Sequence, residues 1–173
     1  MTDVDFGRQI QFVADRAAAE TDPRYRAMLE VWLEHLRAEA ARDIDRTMAT
    51  VSPDANFHSW GGVFSDPDGA KFDKVRSRYK GVMDSGGFPP LELICERFFI
   101  GPDAILLEGD NKSILTSEQA KEAGFQVTDG HTYVGYSRLC CWVPFKDGKI
   151  LAEDLYWHPP YRIEPLDTDQ ASA

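Results

Sequence analysis

The chain has 173 residues, 43% of them hydrophobic and 12% aromatic, which suits one soluble domain with a sizeable core. Nineteen basic against 29 acidic residues give a net charge of −10, a surface that repels phosphate backbones and anionic lipid and argues against nucleic-acid or membrane-surface binding. No apolar run approaches the roughly 20 residues of a membrane span, and the first residues lack the basic-then-apolar pattern of a secretory signal, so a cytoplasmic protein is expected.

In chain order, Phe6, Ile10, Val13 and Ala17 recur at helical spacing over residues 5–20. Thr21-Asp22-Pro23 then resets the chain, a capping polar residue with Pro at the first helical position. The spacing predicts a strong helix from Arg24 to about residue 40, with Tyr25, Met28, Leu29, Trp32 and Leu36 on one face. Asp43 is an expected N-cap for a second helical piece over 43–50. Residues 56–60 read as a short strand, 61–69 as a loop, and 70–84 as a helix carrying Phe72, Val75, Tyr79, Val82 and Met83. Strands are predicted over 91–100 and 103–110, and 111–124 reads as a polar loop with one or two helical turns in it.

Residues 131–145 and 150–158 are rich in β-branched, aromatic and aliphatic side chains and flank Lys146-Asp-Gly-Lys149. Asp-Gly between two such runs is the strongest short-range hairpin signal, because Gly supplies the positive φ of the turn. A long two-stranded hairpin is expected there, followed by a frayed tail. Helices first and strands afterwards predict a single α+β domain over 1–173, helices packed on one face of a curved antiparallel sheet. Segments 104–107 and 139–145 are apolar on both faces, which predicts a homodimer formed through the sheet. Cys95, Cys140 and Cys141 have neither a disulfide pattern nor metal-ligand spacing and read as reduced thiols.

The pattern resembles the nuclear transport factor 2-like superfamily, in its SnoaL-like and ketosteroid-isomerase-like branch. The resemblance rests on Trp32-x-x-His35, residues 41–45, 48–57, Tyr79-x-x-x-Met83 and 145–157, covering about 24–160. It implies a cone: a strongly bent sheet wrapped by three or four helices, with a pocket at the wide end. The superfamily hosts isomerases, dehydratases, dehydrochlorinases, epoxide hydrolases, polyketide cyclases and plain binding modules, so fold alone does not select a function.

His35, Glu39 and Asp43 form an i, i+4, i+8 stripe at the edge of the main helix's apolar face. A His and an acid one turn apart, partly buried, make a general acid–base pair; the bland alternative is an ordinary flank pair, with Asp43 a mere cap. By position His35 resembles the place of the isomerases' oxyanion-holding Tyr, and Glu39 an acidic or Tyr position of the dehydrochlorinases and dehydratases. The isomerases' general base falls at Ser59 and their second Asp near Cys141, so their route is not expected. The dehydratase strand His has no counterpart over 91–97, where Glu92 either substitutes or the chemistry differs.

On the last strand Glu153, Leu155 and Trp157 share one face and Asp154, Tyr156 and His158 the other. Trp157 matches a pocket-lining aromatic of isomerase-like relatives, which carries Glu153 inward, yet in other relatives an acid on this strand is the base, which favours Asp154; one of the two is expected in the pocket. His58 is expected to face away from Phe57, and His131 stands either at a pocket mouth or on the surface. Trp32, Phe57, Trp60, Met83 and Phe88 supply an aromatic and apolar lining, or simply core. Without a Gly-rich phosphate loop, nucleophile elbow or metal spacing, no cofactor or metal is expected. Two readings follow. One is a cofactor-independent lyase, isomerase or cyclase acting on a small hydrophobic, cyclic molecule, with His35, Glu39, Tyr79 and Asp154 as catalytic candidates. The other is a non-catalytic binding or dimeric scaffold domain of the same fold.

Overall fold

A computed structural model describes residues 4–5, 7–61, 65–84 and 91–166. Phe6, Phe88 and the expected frayed tail beyond 166 lie outside the described residues. Helix α1 spans Gly7–Ala19, α2 Pro23–Ala40, α3 Ile44–Ala49, α4 Phe72–Asp84 and α5 Ser117–Glu122. Strands are β1 Asn56–Trp60, β2 Asp66–Lys71, β3 Leu91–Ile100, β4 Ala104–Thr116, β5 Thr132–Lys146, β6 Lys149–Ile150, β7 Asp154–Trp157 and β8 Arg162–Pro165.

Helix α2 starts where its cap sets it. The Asp22 carboxylate accepts from Arg24 N at 2.8 Å and Tyr25 N at 3.4 Å, and Pro23 fills a first-turn position that has no use for an N–H. Met28, Leu29, Trp32, Leu33, His35 and Leu36 recur every three or four residues and are buried, so one face of α2 meets the sheet. The chain turns after α2 through Arg42, at φ 56°, and Asp43 then caps α3 by accepting from Arg46 N at 3.1 Å.

The sheet runs β2-β1-β7-β5-β4-β3, with β6 and β8 also paired to β5. All pairings are antiparallel except β1 with β7. Its register sorts the side chains. Phe57, Ile105, Leu107, Leu139, Cys141 and Val143 face the helices and are buried, with Leu155 and Trp157 packed against them. Phe99, Trp142 and Tyr156 stand on the other face, 61%, 46% and 49% exposed. A bulge between Cys95 and Arg97 breaks the β3–β4 ladder opposite Gly109 and adds the twist that bends the sheet over the helices. The molecule is therefore an α+β cone with helices on one face of a curved, mixed sheet. Among the described residues no helix is long and apolar enough to cross a membrane.

Four expectations change. The hairpin turn is as predicted, Asp147 and Gly148 both at positive φ (52° and 72°), but its second strand is interrupted. Only β6 pairs at the tip; at residue 151 the chain instead bonds Pro144 and Asn56, and β7 resumes between β5 and β1. Residues 66–71 are the edge strand β2 rather than loop, since an edge tolerates Pro67 and Gly69. Strand β4 continues to Thr116 because Asn111, Ser113 and Leu115 keep the ladder with β5; composition hid this. The tail forms β8 against β5 before leaving the described region.

Candidate active site

The inner end of α2, the end of α3, the middle of α4 and the start of β7 converge on His35, which is fully buried. Its Nδ1 lies 2.7 Å from Thr50 Oγ1. The Thr50 hydroxyl donates to the Thr47 carbonyl at 2.7 Å. A hydroxyl has one proton, so toward His35 Thr50 accepts, and Nδ1 must carry a hydrogen. The working atom is then Nε2. It lies 3.2 Å from Glu39 Oε1, 3.3 Å from Glu153 Oε1 and 3.1 Å from the Tyr79 hydroxyl, which itself donates to Glu153 Oε2 at 3.1 Å. Trp32 stacks on the imidazole, centroids 5.5 Å apart and planes 11° off parallel, and Tyr79 meets it edge-on.

The electrostatics follow from these contacts. Burial drives the ring toward its neutral form, but the Glu39 and Glu153 carboxylates together more than reverse this, and the His35 pKa is pushed up to about 10. Glu153 is pushed above the usual carboxylate range, first by burial and then by Glu39, with the imidazolium pulling back. The two directions agree: His35 answers to two carboxylates, Glu153 to one imidazolium and one carboxylate. Burial, helped by the same two acids, also raises the Tyr79 hydroxyl well above its usual value, so it stays protonated.

The three contacts at Nε2 are longer than the ~2.7–2.9 Å of a committed charge-assisted bond. One proton is shared among several acceptors, and an incoming ligand can replace one of them. The side chains of Glu39 and Glu153 are 18% and 13% exposed, so solvent reaches the group from the carboxylate side. His35, Glu39 and Glu153 bring three donor atoms within 4.8 Å, close enough to surround a small cation; the imidazolium Nε2–H already lies at hydrogen-bond distance from both acids. A separate groove of about 380 Å³, lined by Met28, Val31 and Phe145 among others, contains none of these residues.

His35, Glu39, Tyr79, Trp32 and Glu153 are thus brought together. Phe57 and Trp157 face the same interior, and Met83, one turn beyond Tyr79, packs against that core. Asp154 is a correction. It lies on the opposite sheet face, because β7 alternates and register with Trp142 turns it outward, where it binds His58 Nδ1 at 2.7 Å. Trp60 is another. It shares the parity of His58, not of Phe57, and stacks between His58 and Tyr156 on the outer face. His131 is exposed, just ahead of β5. Glu92, buried on β3, is bound by Lys112 at 2.9 Å and Arg8 at 2.7 Å and ties the first helix to the sheet. Thr50 carries no sequence signal of its role at His35, since nothing in a helix-terminal Thr reveals which ring nitrogen it will meet.

No protein-family model and no curated protein matches the chain. Solved structures do. A protein of Shewanella putrefaciens CN-32 described as a SnoaL-like polyketide cyclase superposes at a TM-score of 0.60 and 8% identity, over 84% of this chain and 86% of its own. An LEH-like epoxide hydrolase of M. tuberculosis superposes at 0.52 and 14% identity, over 79% and 86%. TerC, co-crystallised with polyporic acid, superposes at 0.52 and 13% identity, over 76% and 92%. At such identities the shared property is architecture: the chain has the nuclear transport factor 2-like fold, in the form seen in SnoaL-like proteins.

Proposed function

We propose that the protein is a cofactor-independent acid–base enzyme of the lyase, isomerase or polyketide-cyclase type, acting on a small hydrophobic, ring-containing molecule. The observation that carries this reading is a fully buried imidazole held between two partly accessible carboxylates and a Tyr hydroxyl. Glu153, its pKa raised, is suited to take a proton from a carbon next to a carbonyl. The electrons move to the carbonyl oxygen, where the His35 Nε2–H and the Tyr79 hydroxyl donate to the developing charge. The same proton, returned to another atom, completes an isomerisation; loss of a β-substituent makes the reaction an elimination, and attack on a second carbonyl a ring closure. Glu39 keeps the imidazole charged throughout. Neighbours described as cyclases, a hydroxylase and an epoxide hydrolase support an enzymatic reading without choosing the chemistry.

The test is deuterium exchange at the α-carbon of cyclic ketones in D2O, followed by NMR. The wild type is expected to accelerate exchange, and Glu153→Gln to lose about 10²–10⁴ of that rate. Exchange no faster than buffer, or equal in the variant, supports the alternative of a binding or scaffold domain. The exposed Phe99, Trp142 and Tyr156 support a sheet-to-sheet homodimer as well. Sedimentation velocity is expected to give a dimer that Trp142→Arg converts to monomer; a monomeric wild type contradicts it.

A further inference from the structure

Helix α2 carries Arg24, Ala27, Met28 and Val31 at i, i+3, i+4 and i+7, one stripe along its first half. Between this stripe and two turns, Pro102-Asp103 after β3 and Asp147-Gly148 at the hairpin tip, lies the groove of about 380 Å³. The turns brace each other, because Phe145 N donates to the Asp103 carbonyl at 2.7 Å. Asp103 and Asp147 therefore stand on one braced rim. Ala27 leaves the space open, since its side chain ends at Cβ on the groove wall.

The floor is apolar. Met28 is buried, and Val31 and Phe145 are half-buried. Such a volume, at the small end for ligand pockets, suits one ring or a short alkyl chain. The rim is charged and unbalanced. Among the described residues neither the Asp103 nor the Asp147 carboxylate is hydrogen-bonded or ion-paired, and Lys146 beside them is held by Asp54 at 2.5 Å. The one cation lining the groove is Arg24 on the α2 side, its guanidinium 5.0 Å from the centre of the Tyr25 ring. Two carboxylates against one guanidinium leave the groove acidic, and the net charge of −10 adds to the field that draws cations.

We infer that this groove binds a small amphipathic amine, with its apolar body on Met28, Val31 and Phe145 and its ammonium at the Asp103–Asp147 rim. The groove contains none of His35, Glu39, Tyr79 and Glu153, so the site stands or falls independently of the acid–base reading.

The experiment titrates phenethylamine, 2-phenylethanol and ethylamine into the full chain at low salt, with the Met28 and Val31 methyl signals followed by NMR. Phenethylamine is expected to shift both signals. It is expected to bind about fivefold more tightly than 2-phenylethanol, which keeps the body and lacks the charge, since exposed ion pairs are individually weak. It is expected to exceed ethylamine, which lacks the ring, by about tenfold or more, through the apolar area it covers. Ala27→Phe, at an exposed helix position, is expected to fill the groove and abolish the shifts. Asp103→Asn and Asp147→Asn are each expected to bring the amine toward the alcohol, and Asn tolerates the φ of 52° at residue 147. Equal affinities for amine and alcohol overturn the inference, as does ethylamine binding as tightly as phenethylamine, which would mean a surface counter-ion only. Unmoved Met28 and Val31 signals at millimolar amine, or undiminished binding by Ala27→Phe, also overturn it. A shift at the His35 ring with Met28 unmoved would place the amine in the cone and overturn it too.

Discussion

Replacing His35 with Phe is expected to destabilise the fold by about 3–5 kcal/mol at neutral pH, the usual cost of removing one partner from a buried ion pair. Phe fills the ring volume against Trp32, so the loss is electrical rather than a cavity. Without the imidazolium, Glu39 and Glu153 face each other within 4.8 Å, mostly out of water. The pH dependence fixes the cause. In the wild type the His35 pKa stands at about 10, above the ~6.5 of the unfolded chain. Its stabilisation is therefore fully present below about 6.5 and is lost as pH rises through about 10. Glu153, also raised, acts with the same sign: it favours the fold at low pH and loses that contribution as pH climbs above the unfolded carboxyl value of ~4.3. Urea denaturation of wild type and His35→Phe is expected to diverge most near pH 7. The gap should narrow in acid, where the carboxylates protonate, and in strong base, where the imidazole is neutral. A pH-independent gap would mean that His35 stabilises by packing alone.

Gly109→Ala is expected to cost about 3 kcal/mol or more, as forced overpacking does at its upper end. A Cβ there would lie 1.9 Å from the Ile94 carbonyl oxygen and 3.1 Å from Cys95 Cα. Backbone cannot swing aside as a flexible side chain can, so β3 and β4 must part at the bulge that bends the sheet. Thermal melts and the dispersion of β4 amide signals read this directly. A variant as stable as wild type would show that the close strand approach at Gly109 is not required.

Which parts of this were legible in the sequence has a physical answer. Helices α2 and α4 were readable because Met28, Leu29, Trp32 and Leu36, then Val75 and Tyr79, repeat at 3.6-residue spacing, and Asp22-Pro23 marks a start. The Asp147-Gly148 turn was readable because local backbone chemistry decides it. Strand β2 was not, since Pro67 and Gly69 read as loop and an edge position is a tertiary property. The far half of β4 failed likewise: Asn111 reads as polar loop, yet it is fully buried between β3 and β5. At the site, His35 and Glu39 were legible because they sit one turn apart on one helix. Glu153 and Asp154 were separable only by strand parity, and parity is set by where Val51, Leu151 and β1 break the last strand. Thr50 was invisible, because its role is a single hydrogen bond across 15 residues.

The central claim is that two carboxylates hold a buried imidazolium at His35, and nitrogen NMR of the His ring signals against pH tests it most directly, in wild type and in Glu39→Gln. His35 is expected to stay doubly protonated through pH 8 in the wild type and to lose its proton at distinctly lower pH in the variant, where burial meets one carboxylate fewer. A His35 that titrates near the ~6.5 of a free imidazole and ignores Glu39 would contradict it.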